Sequence, residues 1–308
     1  MTEVIESNKK AVNTLSAGHF IIDNYSSFTT PILPLLALKF NTSLAVITSI
    51  LSIGHLCSSI AQPIFGYIAD RWRRRFFLFF GMLFAPLAYS LIGVVPDIFT
   101  LSLCIAIGSL GTGFYHPQAT SMMLVFSDKK NTAKEMGIFL ACGTLGYAIG
   151  PLISSSITNY AGLNYLPFAA ITGLICAFLI LKFVPKISGV VVTNKEQPKF
   201  WSSVKIIVQD TTMQILFMIA AFKSLVSILF GIFPPFLWTQ QGFSTFKIGT
   251  IVFAFLAVSA FGTYSSPYFE AKFGTVSTFK FSMMSTLPLI LLYALTYKQF
   301  PNISLIFV

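Results

Sequence analysis

Charged side chains are scarce in this chain. Asp, Glu, Lys and Arg make up only 10% of its 308 residues, against roughly 25% in an ordinary soluble domain. So few charges cannot cover the surface of a water-soluble fold of this length, which excludes one. Cysteine is equally sparse. The four present (Cys57, Cys104, Cys142 and Cys176) each sit inside an apolar run. None forms a Cys-x-x-Cys pair, and no Cys/His cluster has metal-ligand spacing. We therefore expect neither a disulfide framework nor a metal centre, and no cofactor. No Gly-x-Ser-x-Gly or His-Glu-x-x-His run is present, which speaks against a membrane enzyme. The polar residues 1–10 lack the basic start, short apolar core and cleavage site of a signal peptide, so the first apolar run is expected to stay in the mature chain.

What is abundant is apolar. Hydrophobic residues reach 55%, aromatics 15% with 33 Phe, and the mean hydropathy is +0.78. A helix needs about 20 apolar residues to cross the hydrocarbon of a bilayer. Windows of that kind fall at 17–38, 44–65, 76–95, 98–121, 137–158, 164–184, 213–235, 246–268 and 276–297. The fold class is therefore an all-α membrane protein with nine complete transmembrane helices, and a tenth opens at Ile303. Residues 185–212 are polar and read as a cytoplasmic linker. It separates a six-helix bundle over 1–184 from an incomplete second bundle over 213–308. An offset of 200 residues lays Asp23 over Lys223, Pro34 over Pro234 and Asp70 over Glu270, in keeping with a duplicated plan.

The net charge of +10 is a matter of orientation, not a nucleic-acid patch. With the N-terminus inside, sixteen Lys and Arg fall on the inner side and three (Lys39, Lys247 and Lys298) outside. Cytoplasmic loops collect basic residues, so the chain reads as a multi-pass protein of the inner (plasma) membrane with a cytoplasmic N-terminus. Lys223 lies near the middle of a span, at 213–235.

All four arginines of the chain lie within five positions, in Gly66-Tyr67-Ile68-Ala69-Asp70-Arg71-Trp72-Arg73-Arg74-Arg75. This resembles the cytoplasmic motif Gly-x-x-x-Asp-Arg-x-x-Arg-Arg of the major facilitator superfamily, although Arg73 stands where a glycine is common. Gly66 would allow close helix approach. Asp70 could cap or pair across the cytoplasmic seam, and Arg71, Arg74 and Arg75 could pair with it or with neighbouring carboxylates. The group reads as a cytoplasmic gate. The second copy, Ser266-Pro267-Tyr268-Phe269-Glu270-Ala271-Lys272, is diluted. In the fifth span, Gly146, Gly150 and Ser154 recur every four residues, which bares one helix face, and Pro151 can kink the helix. The run resembles the Gly-x-x-x-Gly-Pro motif of proton-linked antiporters of the same superfamily.

Ionisable groups inside spans are costly and mark pathways or relays. His19 and Asp23 are four apart in the first span, hence on one helical face, and read as a proton-coupling pair. His116, within Gly111-Thr112-Gly113-Phe114-Tyr115-His116-Pro117-Gln118-Ala119, follows a loose glycine stretch and precedes a proline that interrupts the backbone ladder. His55 reads as a packing histidine. His19-x-x-x-Asp23, the fourth-span motif, the fifth-span glycines, Trp238-Thr239-Gln240 and Phe261-Gly262-Thr263 together resemble the fosmidomycin resistance family of efflux transporters. Gln118 stands where that family often has an acid.

The resemblance implies two helical bundles around a central cavity lined by His116, Gln118 and Lys223. Transport would be proton-coupled efflux of a small molecule by alternating access, with substrate, proton and bilayer as the partners and no nucleic acid. A symporter importing a small anionic metabolite, with Lys223 meeting the anion, and a non-transporting remnant stay open. The apolar, uncapped Ser304-Leu305-Ile306-Phe307-Val308 is read as a C-terminal truncation, giving an inactive chain or one completed by a separately encoded C-terminal fragment.

Overall fold

Long apolar runs with so few charges must satisfy their backbone within each segment, which a helix does. A computed structural model describes residues 7–71, 75–186 and 199–296, and all their regular elements are helical. The elements are α1 (Lys9–Ser26), α2 (Leu33–Lys39), α3 (Leu44–Arg71), α4 (Arg75–Leu91), α5 (Ile98–Phe126), α6 (Thr132–Tyr160), α7 (Ala170–Phe183), α8 (Phe200–Gln209), α9 (Thr211–Gln240), α10 (Thr245–Phe273) and α11 (Thr275–Thr296). Six stretches of these are long and apolar enough to cross a membrane, at Ala45–Ala69, Ile98–Phe126, Lys134–Tyr160, Leu163–Phe183, Thr245–Ser266 and Thr275–Thr296. A bent pair, Phe200–Gln209 with Thr211–Phe222, makes a seventh if counted as one span. The tenth span expected at Ile303 lies outside the described residues.

Short polar side chains set the helix starts. Asn8 accepts the Ala11 N–H at 3.0 Å, Asp97 that of Thr100 at 2.8 Å, and Asp210 that of Met213 at 3.0 Å, each filling one of the orphan donors of a helix N-terminus. The Thr100 backbone N–H and hydroxyl hold the Asp97 carboxyl below the usual carboxylate range. Between α10 and α11 a single residue makes the turn. Gly274 adopts φ 80° there, a left-handed conformation that favours glycine.

The first span departs from its expected form for an identifiable reason. The first span is not one helix over 17–38. It starts earlier, at the Asn8 cap, and breaks after Ser26 into a 3-10 turn at Thr30–Ile32 and the short α2. Pro31 and Pro34 sit in the first turns of those two elements, where a missing N–H does no harm, whereas deeper in a helix it would break the ladder. The segment read as linker contains α8. Its apolar Trp201, Ile206, Ile207 and Val208 are exposed, and it meets α9 at 84°.

The core lies among α1, α4, α5 and α7. Leu15 and Ile22 of α1, Met82 and Ala85 of α4, Ile105 and Met122 of α5 and Ile180 of α7 are all at 0–1% exposure in one continuous cluster. A second, small cluster joins Trp238 of α9 to Ile248 and Val252 of α10. Lipid tails are as apolar as leucine, so close backbone approach drives helix association in membranes. The Gly111–Gly113 stretch, expected to be loose, is instead a packing seam inside an uninterrupted α5. A Cβ on Gly111 would stand 2.7 Å from the Ala85 amide nitrogen of α4, and one on Gly113 3.2 Å from Ala61 Cβ of α3.

Helix α6 serves two neighbours, α1 on one side and α10 on another. Cβ atoms on Gly146 and Gly150 would collide with the backbone carbonyls of Phe20 and Asn24 in α1. Toward α10, Gly249 lies over Ser155 and over the Pro151 carbonyl, where its own Cβ would come within 2.8 Å. Helix α6 continues through Pro151 to Tyr160.

Candidate functional site

Helical periodicity brings His19 and Asp23 to one face of α1, and packing of α5 against α1 adds His116. His19 Nε2 lies 3.3 Å from Asp23 Oδ2, and His116 Nε2 lies 3.2 Å from Asp23 Oδ1. One carboxylate is therefore bridged by two imidazoles from different helices. The side chains of His19, Asp23 and His116 are 9%, 16% and 26% exposed, so His116 is the most open of the three. The rings of His19 and His116 meet edge-on, with centroids 5.3 Å apart.

Helix α6 completes the arrangement with two residues that sequence reasoning left without a role. His19 Nδ1 lies 2.8 Å from the Phe139 carbonyl oxygen, and the His19 ring stacks on the Phe139 ring at 4.1 Å. A carbonyl only accepts, so Nδ1 carries a hydrogen and Nε2 is the variable nitrogen. Gly143 covers the His19–Asp23 contact. A Cβ there would stand 2.5 Å from His19 Cε1, 2.6 Å from Nε2 and 2.7 Å from Asp23 Oδ2. The Gly143-x-x-Gly146 spacing on one helix face was a legible signal for a residue facing α1. A carbonyl acceptor such as Phe139 leaves no mark in a sequence.

The proton bookkeeping follows from chemistry alone. With Asp23 ionised and His19 neutral, the Nε2 lone pair faces a carboxylate oxygen at 3.3 Å, and two acceptors oppose one another. One additional proton, on Nε2 or on the carboxyl group, turns that repulsion into a hydrogen bond. Among the described residues no Lys or Arg forms an ion pair with Asp23, whose only salt-bridge partners are the two histidines. His19, Asp23 and His116 also form a group whose possible donor atoms lie within 4.8 Å of one another, whereas the sequence pattern had offered no metal centre.

Other residues singled out from sequence fall elsewhere. Gln118 is buried at 1% exposure, and neither its side-chain oxygen nor its nitrogen has a hydrogen-bond partner. His55 is exposed on α3 and is not packed in the core. Gly66 meets only Pro117, at an ordinary 3.8 Å from an added Cβ, so no close approach requires a glycine there. Arg75 Nη1 donates to the carbonyls of Leu181 at 2.7 Å and Val184 at 3.2 Å. It thereby closes the C-terminal end of α7, where a cation also complements the helix dipole. The side chains of Asp70, Arg71 and Lys223, and all of Arg74, lie outside the described residues. A groove of about 780 Å³ beside α1 and α6, with Phe20, Asn24 and Ile138 in its walls and Lys9 and Lys134 among its lining residues, does not include the triad.

Helices packed through glycine seams around buried ionisable side chains define an all-helical polytopic membrane protein. The family model described as Major Facilitator Superfamily matches residues 15–308, and the chain belongs to that superfamily as a multi-pass membrane protein. It is 24% identical over 188 residues to the fosmidomycin resistance protein of Escherichia coli (strain K12), covering 61% of this chain and 46% of that protein. It is 29% identical over 171 residues to the multidrug resistance protein MdtG of Proteus mirabilis (strain HI4320), covering 54% and 42% respectively. The chain spans about half the length of the curated relatives it matches. A bacterial homologue of the human lysosomal transporter Spinster, solved inward-facing and unoccupied, superposes with a TM-score of 0.77 at 16% identity. That superposition covers 96% of this chain and 70% of the other. A peptide transporter POT in complex with alafosfalin gives a TM-score of 0.52 at 22% identity, covering 71% and 49%. These likenesses fix the fold.

Proposed function

We propose that this chain belongs to a proton-coupled efflux transporter of the plasma (inner) membrane, with its N-terminus in the cytoplasm. Nine spans and the opening of a tenth belong to two bundles, 1–184 and 213–308, joined through 185–212. His19 and Asp23 bind and release the coupling proton, and His116, the most open member of the triad, adjoins the substrate path with Lys223. The single observation that carries this reading is Asp23 bridged by two imidazoles at the junction of α1, α5 and α6. A largely buried trio of ionisable groups of this kind is expensive in a bilayer unless it serves a pathway.

Alternating access supplies the rest. One additional proton at the His19–Asp23 contact removes a repulsion within α1 and lowers the negative charge that Asp23 offers to His116 of α5, so protonation biases how these helices pack. The 66–75 motif, through Gly66, Asp70, Arg71 and Arg74, forms the cytoplasmic gate. Arg75 steadies it by joining the start of α4 to the end of α7. Gly146, Gly150 and Pro151 keep α6 tight against its neighbours while α10 moves with it. The names of the curated relatives support export over import.

Purified chain reconstituted in proteoliposomes, with an imposed pH gradient, an internal pH dye and fosmidomycin as the probe, tests the proposal. The expected result is probe-dependent proton movement that Asp23→Asn abolishes while the protein still inserts. Full flux in Asp23→Asn removes Asp23 from coupling, and absent flux from the unmodified chain overturns the transport reading for this polypeptide.

A further inference from the structure

We infer that His19, Asp23 and His116 form a binding site for one divalent transition-metal ion, of the class of Zn²⁺ or Co²⁺, for which protons compete. The three groups are the donor set such ions select, two imidazole nitrogens and a carboxylate oxygen, and not the all-oxygen set of Mg²⁺ or Ca²⁺. The separations fit as well. Bonds of about 2.0–2.2 Å in a tetrahedral site place neighbouring donor atoms about 3.3–3.6 Å apart. One donor atom from each of the three residues already lies within 4.8 Å of the others, with each imidazole nitrogen 3.2–3.3 Å from its own carboxylate oxygen, so small side-chain shifts close the set around one ion.

The surroundings supply what a ligating histidine needs. The Phe139 carbonyl takes the Nδ1 hydrogen of His19 at 2.8 Å, which leaves Nε2 as the lone-pair nitrogen directed at Asp23. A backbone carbonyl on the remote ring nitrogen is the usual outer partner of a metal-bound imidazole. Gly143 packs closely over Nε2 and Oδ2, where an added Cβ would lie 2.6 and 2.7 Å away, so an ion reaches these atoms from the side away from α6. His116, 26% exposed at its side chain, keeps one side accessible, so a fourth position is left for water or another ligand, as in open zinc sites.

The ion and the proton answer the same electrostatic problem. Each places positive charge between the His19 lone pair and the Asp23 carboxylate, which otherwise repel. The metal needs both imidazoles neutral and the carboxylate ionised, so binding one ion releases the protons held there, and affinity rises with pH. This goes beyond the proposed transport cycle and uses the same three side chains. Equilibrium binding is read without transport, so a failure of proton-coupled flux leaves the metal test standing, and the reverse also holds.

The experiment uses the full purified chain in detergent, freed of metal by a chelator and titrated with Zn²⁺ by calorimetry at about pH 6 and about pH 8. The expected result is saturable one-to-one binding, tighter at the higher pH and accompanied by proton release. His19→Gln and His116→Gln should each weaken it by more than roughly 100-fold, beyond the range typical of losing an outer partner. A Co²⁺ titration of the unmodified chain needs no variant to fold. It should give the intense visible bands of tetrahedral nitrogen and oxygen ligation. Binding no stronger than that of Mg²⁺, a six-coordinate aquo-like Co²⁺ spectrum, a thiolate charge-transfer band from Cys142 or another cysteine, or undiminished binding in both histidine variants would each overturn the inference.

Discussion

Replacing Gly143 with alanine adds one methyl group directly over the His19–Asp23 contact. The new Cβ would stand 2.5 Å from His19 Cε1, 2.6 Å from Nε2 and 2.7 Å from Asp23 Oδ2, whereas comfortable carbon contacts lie at about 3.5–4.0 Å. The imidazole must retreat by about 1 Å. It is held on one side by the 2.8 Å hydrogen bond to the Phe139 carbonyl and on the other by the 3.3 Å contact to Asp23, and a movement of that size breaks one of them. Losing one charge-assisted hydrogen bond costs about 1.5–3 kcal/mol, roughly 10- to 150-fold in proton or metal affinity at the site. Because the clashing atoms are side-chain atoms, the helices themselves need not part. Gly146→Ala is the internal control, since its Cβ drives into the Phe20 backbone carbonyl of α1, which cannot yield without moving a helix. The assays are Zn²⁺ calorimetry, proton-coupled flux and thermal unfolding in detergent. Gly143→Ala should lose binding and flux and keep most of its thermal stability, and Gly146→Ala should lose stability first. Normal binding and flux in Gly143→Ala would refute the reasoning, because it would mean that the His19–Asp23 geometry is not what the site depends on.

Two further outcomes test the packing around the site. Arg75→Ala removes the Nη1 donor that reaches the Leu181 and Val184 carbonyls. It should cost about 1–3 kcal/mol, read as a lower thermal midpoint with binding at the triad unchanged; an unaltered midpoint in Arg75→Ala would show that the end of α7 needs no such closure. Gly249→Val should push α10 off Ser155 and Pro151 of α6 at about 1–3 kcal/mol. In a chain with Trp72 and Trp201 changed to Phe, Trp238, now 2% exposed, should shift its emission to the red. An unshifted spectrum with unchanged stability would place the α6–α10 seam elsewhere.

Much of this protein was legible residue by residue, because membrane insertion and helix formation are local. Twenty apolar residues declare a span wherever they lie, and the sequence windows fall on the helices α1–α2, α3–α7 and α9–α11, of which six stretches among the described residues are long and apolar enough to cross a membrane. The i, i+4 spacing of His19 and Asp23 needed only helical periodicity to become a contact. The misreadings share one cause. Composition marks Gly111–Gly113 as loose, but a glycine's meaning depends on what lies opposite, and within 185–212 α8 declares itself only through the one-sided placement of Trp201, Val204 and Val208 on a short helix. His55 and Gln118 show the same limit. Each polar side chain was assigned a surrounding from its own helix, while its real surrounding is set by the neighbouring ones.

The sequence by itself determined that this chain lives in a bilayer, that its segments are helices, and that one helix carries an acid and a histidine on a common face, since each follows from the free energy of short stretches of chain. Only the tertiary structure decided that His116, distant in sequence, would close on the other oxygen of Asp23, that the Phe139 carbonyl would choose which nitrogen of His19 stays variable, and that Gly143 would lie closely over their contact. Those facts belong to how three helices pack, and no single stretch of residues contains them.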